Sequence, residues 1–178
     1  MFKIHNGRLY ADVTPRRLSF AIPEGFWLET LPQGNSEDHI AFLTADRKVE
    51  VEISVGSHTY ESTADDVFRF FDDAPEAAVE GPSPIEVNGL SGHSIYFLEA
   101  TNAQYVVLLD IGGGSFLGWD EGNEENEEDD WVDRIEVTVT VFGCKTDEEA
   151  AAKIRAVAKD LAIVALIESI DVHSEKAE

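Results

Sequence analysis

The most chemically loaded stretch of this sequence is a run of carboxylates between two tryptophans. Asp120, Glu121, Glu124, Glu125, Glu127, Glu128, Asp129 and Asp130 lie between Trp119 and Trp131, and Asp133 follows; residues 120–133 contain no Lys or Arg. Carboxylates at this density repel one another, and solvation alone would satisfy them. They also offer oxygen ligands to a hard cation such as calcium, although the spacing is not that of an EF-hand loop and such a site would bind only at roughly millimolar concentration. A third use is docking of a basic partner, with the tryptophans as aromatic anchors beside the charge. The expected partner-binding set is therefore Trp119, Asp120, Glu121, Glu124, Glu125, Glu127, Glu128, Asp129, Asp130 and Trp131. The two tryptophans could equally pair across the strands at the base of the segment.

Other reactive side chains form no recognisable constellation. Gly112-Gly113-Gly114-Ser115 lacks the Lys-Ser/Thr of a phosphate-binding loop and reads as a turn or bulge. The histidines His5, His39, His58, His93 and His173 include no pair at i, i+4 and no HExxH pattern, so each reads as a surface or strand residue. Cys144 is the only cysteine, which excludes an intrachain disulfide and a paired-cysteine zinc site; it reads as a structural thiol. No serine lies in GxSxG or SxxK. No catalytic residue, metal ligand or cofactor is assigned.

The charge balance narrows the partners. There are 36 acidic residues against 13 basic ones, a net charge of −23, and leaving out the nine carboxylates of residues 120–133 still gives −14. Nucleic acid and anionic membrane surfaces are recognised through Lys and Arg, so neither is an expected partner. The apolar run 161–167 is far short of the roughly 20 residues a membrane span needs. The N-terminus has no apolar run of signal-peptide length, so a cytoplasmic protein is expected.

These residues must be carried by strands and a few helices. Asn6-Gly7 suits a hairpin turn within residues 2–13, and residues 18–22 read as a strand stopped by Pro23. A second hairpin turns at Asp46-Arg47, and its second strand alternates Val49, Val51, Ile53 and Val55 with polar residues. A helix is expected from Ser62 or Thr63, with Val67, Phe70 and Phe71 on its buried stripe and Pro75 closing it. Gly81-Pro82-Ser83-Pro84 reads as a breaker. Residues 93–100 and 104–111, with Asn102 between them in a turn, are apolar on both faces and so read as central strands. Residues 134–142 alternate Ile135, Val137, Val139 and Val141 with polar residues, so that strand is expected to be more peripheral. Thr146 and Glu149 form a capping box for a final helix striped by Ile154, Val157, Ala158 and Leu161. Ile95, Phe97, Val106, Leu108, Phe70 and Leu161 are expected in the core.

Taken in order, Leu18-Ser19-Phe20-Ala21-Ile22-Pro23-Glu24-Gly25-Phe26, the short helix over 62–73, Val87-Asn88-Gly89-Leu90-Ser91-Gly92 before paired apolar strands, and a closing helix ending in Glu168-Ser169-Ile170-Asp171-Val172 resemble the PsbP-like superfamily. That group includes the extrinsic PsbP subunit of photosystem II, a Ran-binding nucleotide-release factor and many bacterial domains. The resemblance covers roughly residues 16–172 and rests on order and spacing. It implies an α+β fold, an α/β/α sandwich around a mostly antiparallel sheet. Residues 1–178 would then form one such domain, with residues 1–13 as an extra N-terminal hairpin and 120–133 as an acidic loop insertion. It also implies a non-catalytic protein-binding role as an adaptor, chaperone or assembly factor. A small carboxylate-dependent hydrolase and a weak calcium-binding protein are the alternatives.

Overall fold

The computed structural model describes residues 2–13, 16–29, 39–58, 63, 80–99, 102–113 and 132–174. The chain begins as a hairpin, β1 (Phe2–His5) and β2 (Arg8–Val13). Asn6 and Gly7 turn it with φ of 50° and 72°, the two positive angles a type I′ turn needs. β3 (Arg16–Ala21) pairs with β2, and β11 (Asp171–Ser174), from the far end of the described chain, pairs with β3. The result is a four-stranded antiparallel sheet ordered β1-β2-β3-β11.

The larger sheet has seven strands: β4 (Phe26–Leu28), β5 (His39–Thr44), β6 (Val49–His58), β7 (Glu80–Val87), β8 (Leu90–Glu99), β9 (Asn102–Gly113) and β10 (Val132–Val141). Every pairing is antiparallel and the order is β4-β5-β6-β10-β9-β8-β7. One face carries Val51, Ile53, Val107, Leu109, Val137 and Val139, all buried. Against that face pack Ala150 and Ile154 of α1 (Asp147–Val157), Ile163 and Leu166 of α2 (Leu161–Glu168), and Leu9, Leu18 and Phe20 of the smaller sheet. Phe20 meets Phe42 of the larger sheet edge to face, with ring centroids 6.1 Å apart. The opposite face buries Ile95, Val106 and Leu108 as a second cluster.

This architecture corrects the expected α/β/α sandwich. The structure is mostly antiparallel strand in two sheets, and both described helices pack into the same core as the smaller sheet. The final helix is also not continuous. Residues 158–160 break it, and Asp160 caps a new helix by accepting from the Ala162 amide at 2.8 Å. Leu161 is then the first residue of α2 and is 85% exposed, not part of the core. Residues 171–174 leave the helix altogether and become β11. The expected cap at Thr146 is present: its hydroxyl accepts from the Glu149 amide, while Glu149 accepts from the Lys145 amide.

Three strand expectations change as well. β10 is the middle strand of seven, not a peripheral one. Its alternate residues, Thr138 and Thr140, are buried, because a threonine methyl packs in a sheet as valine does. Gly81-Pro82-Ser83-Pro84 lies inside β7, where two prolines are tolerated because β7 is an edge. Asn102 opens β9, paired with Glu99, instead of sitting in a turn. Ile95, Phe97, Val106 and Leu108 are buried. The helix expected from Ser62, with Phe70, lies outside the described residues except for Thr63, which is buried and helical.

Candidate functional site

Trp119, Asp120, Glu121, Glu124, Glu125, Glu127, Glu128, Asp129, Asp130 and Trp131 all lie outside the described residues. Asp133 is placed by its backbone, on β10 opposite Ser57. Among the described residues, no group of three or more His, Cys, Asp or Glu is arranged to hold a metal ion. Three other features of the structure bring functional side chains together.

The first is a groove of about 680 Å³ where the smaller sheet meets the end of α2. The register of β2, β3 and β11 puts Tyr10 opposite Ser19 and Ser19 opposite Asp171. Residues facing each other across a sheet share a face, so these three line one wall. Arg8 reaches across it: Nη2 donates to Ser19 Oγ at 2.9 Å and to the Ser169 carbonyl at 2.8 Å. Asn88, at the β7–β8 turn, donates through Nδ2 to the carbonyls of Glu168 and Ile170 at 3.0 and 2.8 Å. The Ser169 hydroxyl accepts from the Ala21 amide at 2.7 Å. Side chains from both ends of the sequence are thereby tied into one network.

Ser19, His173 and Asp171 invite comparison with a nucleophile, base and orienting acid. His173 Nε2 lies 3.2 Å from Ser19 Oγ and 3.4 Å from Asp171 Oδ2. Both neighbours therefore meet the same ring nitrogen. A hydrolytic relay needs the acid on Nδ1, so that Nε2 is left to take the serine proton. Ser19 is also only 1% exposed and already accepts a hydrogen bond from Arg8. The cluster holds β2, β3 and β11 together and shapes a groove; its geometry is not that of a relay.

The second feature is a smaller recess of about 420 Å³ beside β7 and β8, on the other face of the larger sheet. Thr63 Oγ1 and His93 Nδ1 are 2.6 Å apart at its wall. Deeper in, fully buried Arg134 donates through Nε to Asp110 at 2.8 Å. A buried guanidinium in a central strand needs such an acceptor, because an unpaired buried charge is costly.

The third feature is the β4 edge. Among the described residues, β4 has a neighbour on one side only. Trp27 is 70% exposed there and Leu28 44% exposed. Trp27 stands opposite Leu43, and Leu43 opposite Glu50, so the ring lies at the end of a row crossing the sheet. Glu24 and Glu29 flank the strand.

No family model matches the chain, and a comparison with curated proteins finds no match. Among solved structures, a crystal structure of a protein from Bacteroides thetaiotaomicron is similar at 13% identity and a TM-score of 0.39, over 90% of this chain and 46% of that one. This chain thus spans just under half the length of that protein. Among the described residues, no helix is long and apolar enough to cross a membrane.

Residue type alone did not single out Arg8, Ser19, Asn88, Asp171 and His173, because they are scattered from position 8 to 173. His173 does lie in a strand, as expected for the histidines in general. Trp27 carried one usable signal: a large aromatic in a short segment next to a Pro-Glu-Gly turn. Cys144 is buried, in keeping with a structural thiol.

Proposed function

We propose that this is a cytoplasmic, non-catalytic module that binds another protein, with Trp27 as its anchor. The observation that carries the reading is the exposure of Trp27 and Leu28 together on an edge strand. Tryptophan is the residue type most enriched among side chains that dominate interface energetics. A solvent-facing edge also offers unpaired backbone groups to an incoming chain. The partner is expected to be basic. Glu24 and Glu29 flank the anchor, and the whole chain carries −23. Complementary charge would speed encounter and select the partner.

A panning experiment with a library of Lys- and Arg-rich peptides tests this. The intact chain should enrich peptides that combine basic residues with an apolar side chain. Trp27→Ala should weaken their binding roughly thirtyfold, as expected for an interface anchor, without moving the unfolding midpoint. Failure to enrich any basic peptide, or equal binding by Trp27→Ala, overturns the reading.

A further inference from the structure

We propose that the groove between the smaller sheet and the end of α2 binds a neutral, polyhydroxylated ligand, a sugar. The first observation is its charge. Arg8, His173, Asp171 and Glu168 line the same groove, with His173 beside Asp171 on β11. In a chain of net charge −23, this is a place where carboxylates stand together with a guanidinium and an imidazole. An anion entering it meets two carboxylates, and a cation meets a guanidinium. A neutral ligand meets no opposing charge.

The second observation is its chemistry. Small-molecule pockets are usually walled by apolar side chains with a few polar groups. Here the wall is polar throughout except for the ring of Tyr10. A sugar hydroxyl both donates and accepts, so it is served by a surface that offers both. Planar groups suit adjacent hydroxyls best, because each can make two parallel hydrogen bonds. The carboxylates of Asp171 and Glu168 are of this kind, while Nη2 of Arg8 and Nδ2 of Asn88 are already engaged with protein acceptors. The Tyr10 ring supplies an apolar surface for the C–H face of a pyranose.

The third observation is rigidity. Arg8 is fixed by Ser19 and the Ser169 carbonyl, and Asn88 donates to two carbonyls, which leaves its Oδ1 as an acceptor. Groups held in place before binding lose little freedom when the ligand arrives. A volume of about 680 Å³ is within the range of pockets for small ligands.

Saturation-transfer NMR on the full chain tests the proposal. The probes are methyl glycosides of glucose, galactose, mannose and N-acetylglucosamine, with glutamate, lysine and inorganic phosphate as charged comparisons. At least one glycoside should give transfer, and the charged probes should not. Tyr10→Ala and, separately, Glu168→Gln on the exposed end of α2 should each weaken binding roughly five- to tenfold, the worth of about one hydrogen bond or ring contact. Linear tetrasaccharides of the sugar that binds would distinguish a free sugar from a glycan chain: tighter binding points to the chain, unchanged binding to the single residue. Trp27→Ala should leave the sugar signal intact, which separates this site from the protein-binding edge. Transfer to no glycoside, transfer to the charged probes instead, or signals indifferent to both groove variants overturns the proposal.

Discussion

Gly92 shows how closely single residues are constrained in this sheet. A Cβ built there would stand 1.8 Å from the Leu108 carbonyl oxygen, a backbone atom that cannot swing aside. β8 and β9 approach so closely at this point that only hydrogen fits, one of the standard uses of glycine within a strand. Gly92→Ala should therefore lower stability by about 3 kcal/mol, the upper end of the usual overpacking range. Chemical denaturation would measure it, and a midpoint within error of the parent would show that the strands can separate at no cost. Gly92 was legible in the sequence only as a landmark before two apolar strands; the reason for it lies in its neighbour across the sheet. Arg134 is a similar case. In sequence it is one more charge at the start of an alternating strand, and only its register with Asp110 shows why a guanidinium can be buried there.

At the scale of elements, local signals carried furthest. The turns at Asn6-Gly7 and Asp46-Arg47 and the cap at Thr146 were readable because each depends on two to four adjacent residues. Order within the sheet was not readable from period alone. β10 alternates like a half-wet strand, yet threonine can be buried, so the alternation did not mark an edge. The pairing of β11 with β3 joins residues about 150 positions apart, and nothing local announces it. Paired strands also alter the chemistry of what they bring together. Tyr96 on β8 and Tyr105 on β9 face each other with ring centroids 4.7 Å apart. Burial pushes the Tyr96 phenol above its usual value, with Tyr105 and Glu80 adding to the shift. Above about pH 10 the unfolded chain loses this proton more readily than the folded one. Native Tyr96 binds its proton more tightly, so stability falls as pH rises through that range. Tyr96→Phe should flatten the alkaline limb of a stability-against-pH curve relative to its own value at neutral pH. Parallel limbs for parent and variant would sink the assignment.

Across the whole molecule, charge is unevenly distributed. Residues 1–22 carry Lys3, Arg8, Arg16 and Arg17 against Asp12 alone, a net +3, which leaves −26 on the rest. These four basic residues all lie on strands of the smaller sheet, whose groove sets Arg8 and His173 beside Asp171 and Glu168. The excess of carboxylates elsewhere repels itself and works against the compact state. Some attractive pairs oppose it. Lys48–Asp46 at 3.9 Å and Arg155–Glu80 at 2.7 Å are both exposed, and pairs of that kind contribute little. Arg134–Asp110 has its guanidinium fully buried, so salt barely screens it. Repulsion therefore dominates the salt-sensitive part of the stability. Raising NaCl from about 10 mM to about 0.15 M shortens the screening length from roughly 30 Å to roughly 8 Å. The thermal midpoint should rise over that interval at neutral pH and change less beyond it. Sodium chloride is the right salt, because sulfate would add a general strengthening of apolar burial. A midpoint that falls with added NaCl would mean that exposed ion pairs outweigh the repulsion, and that the acidic surface is organised around its few cations.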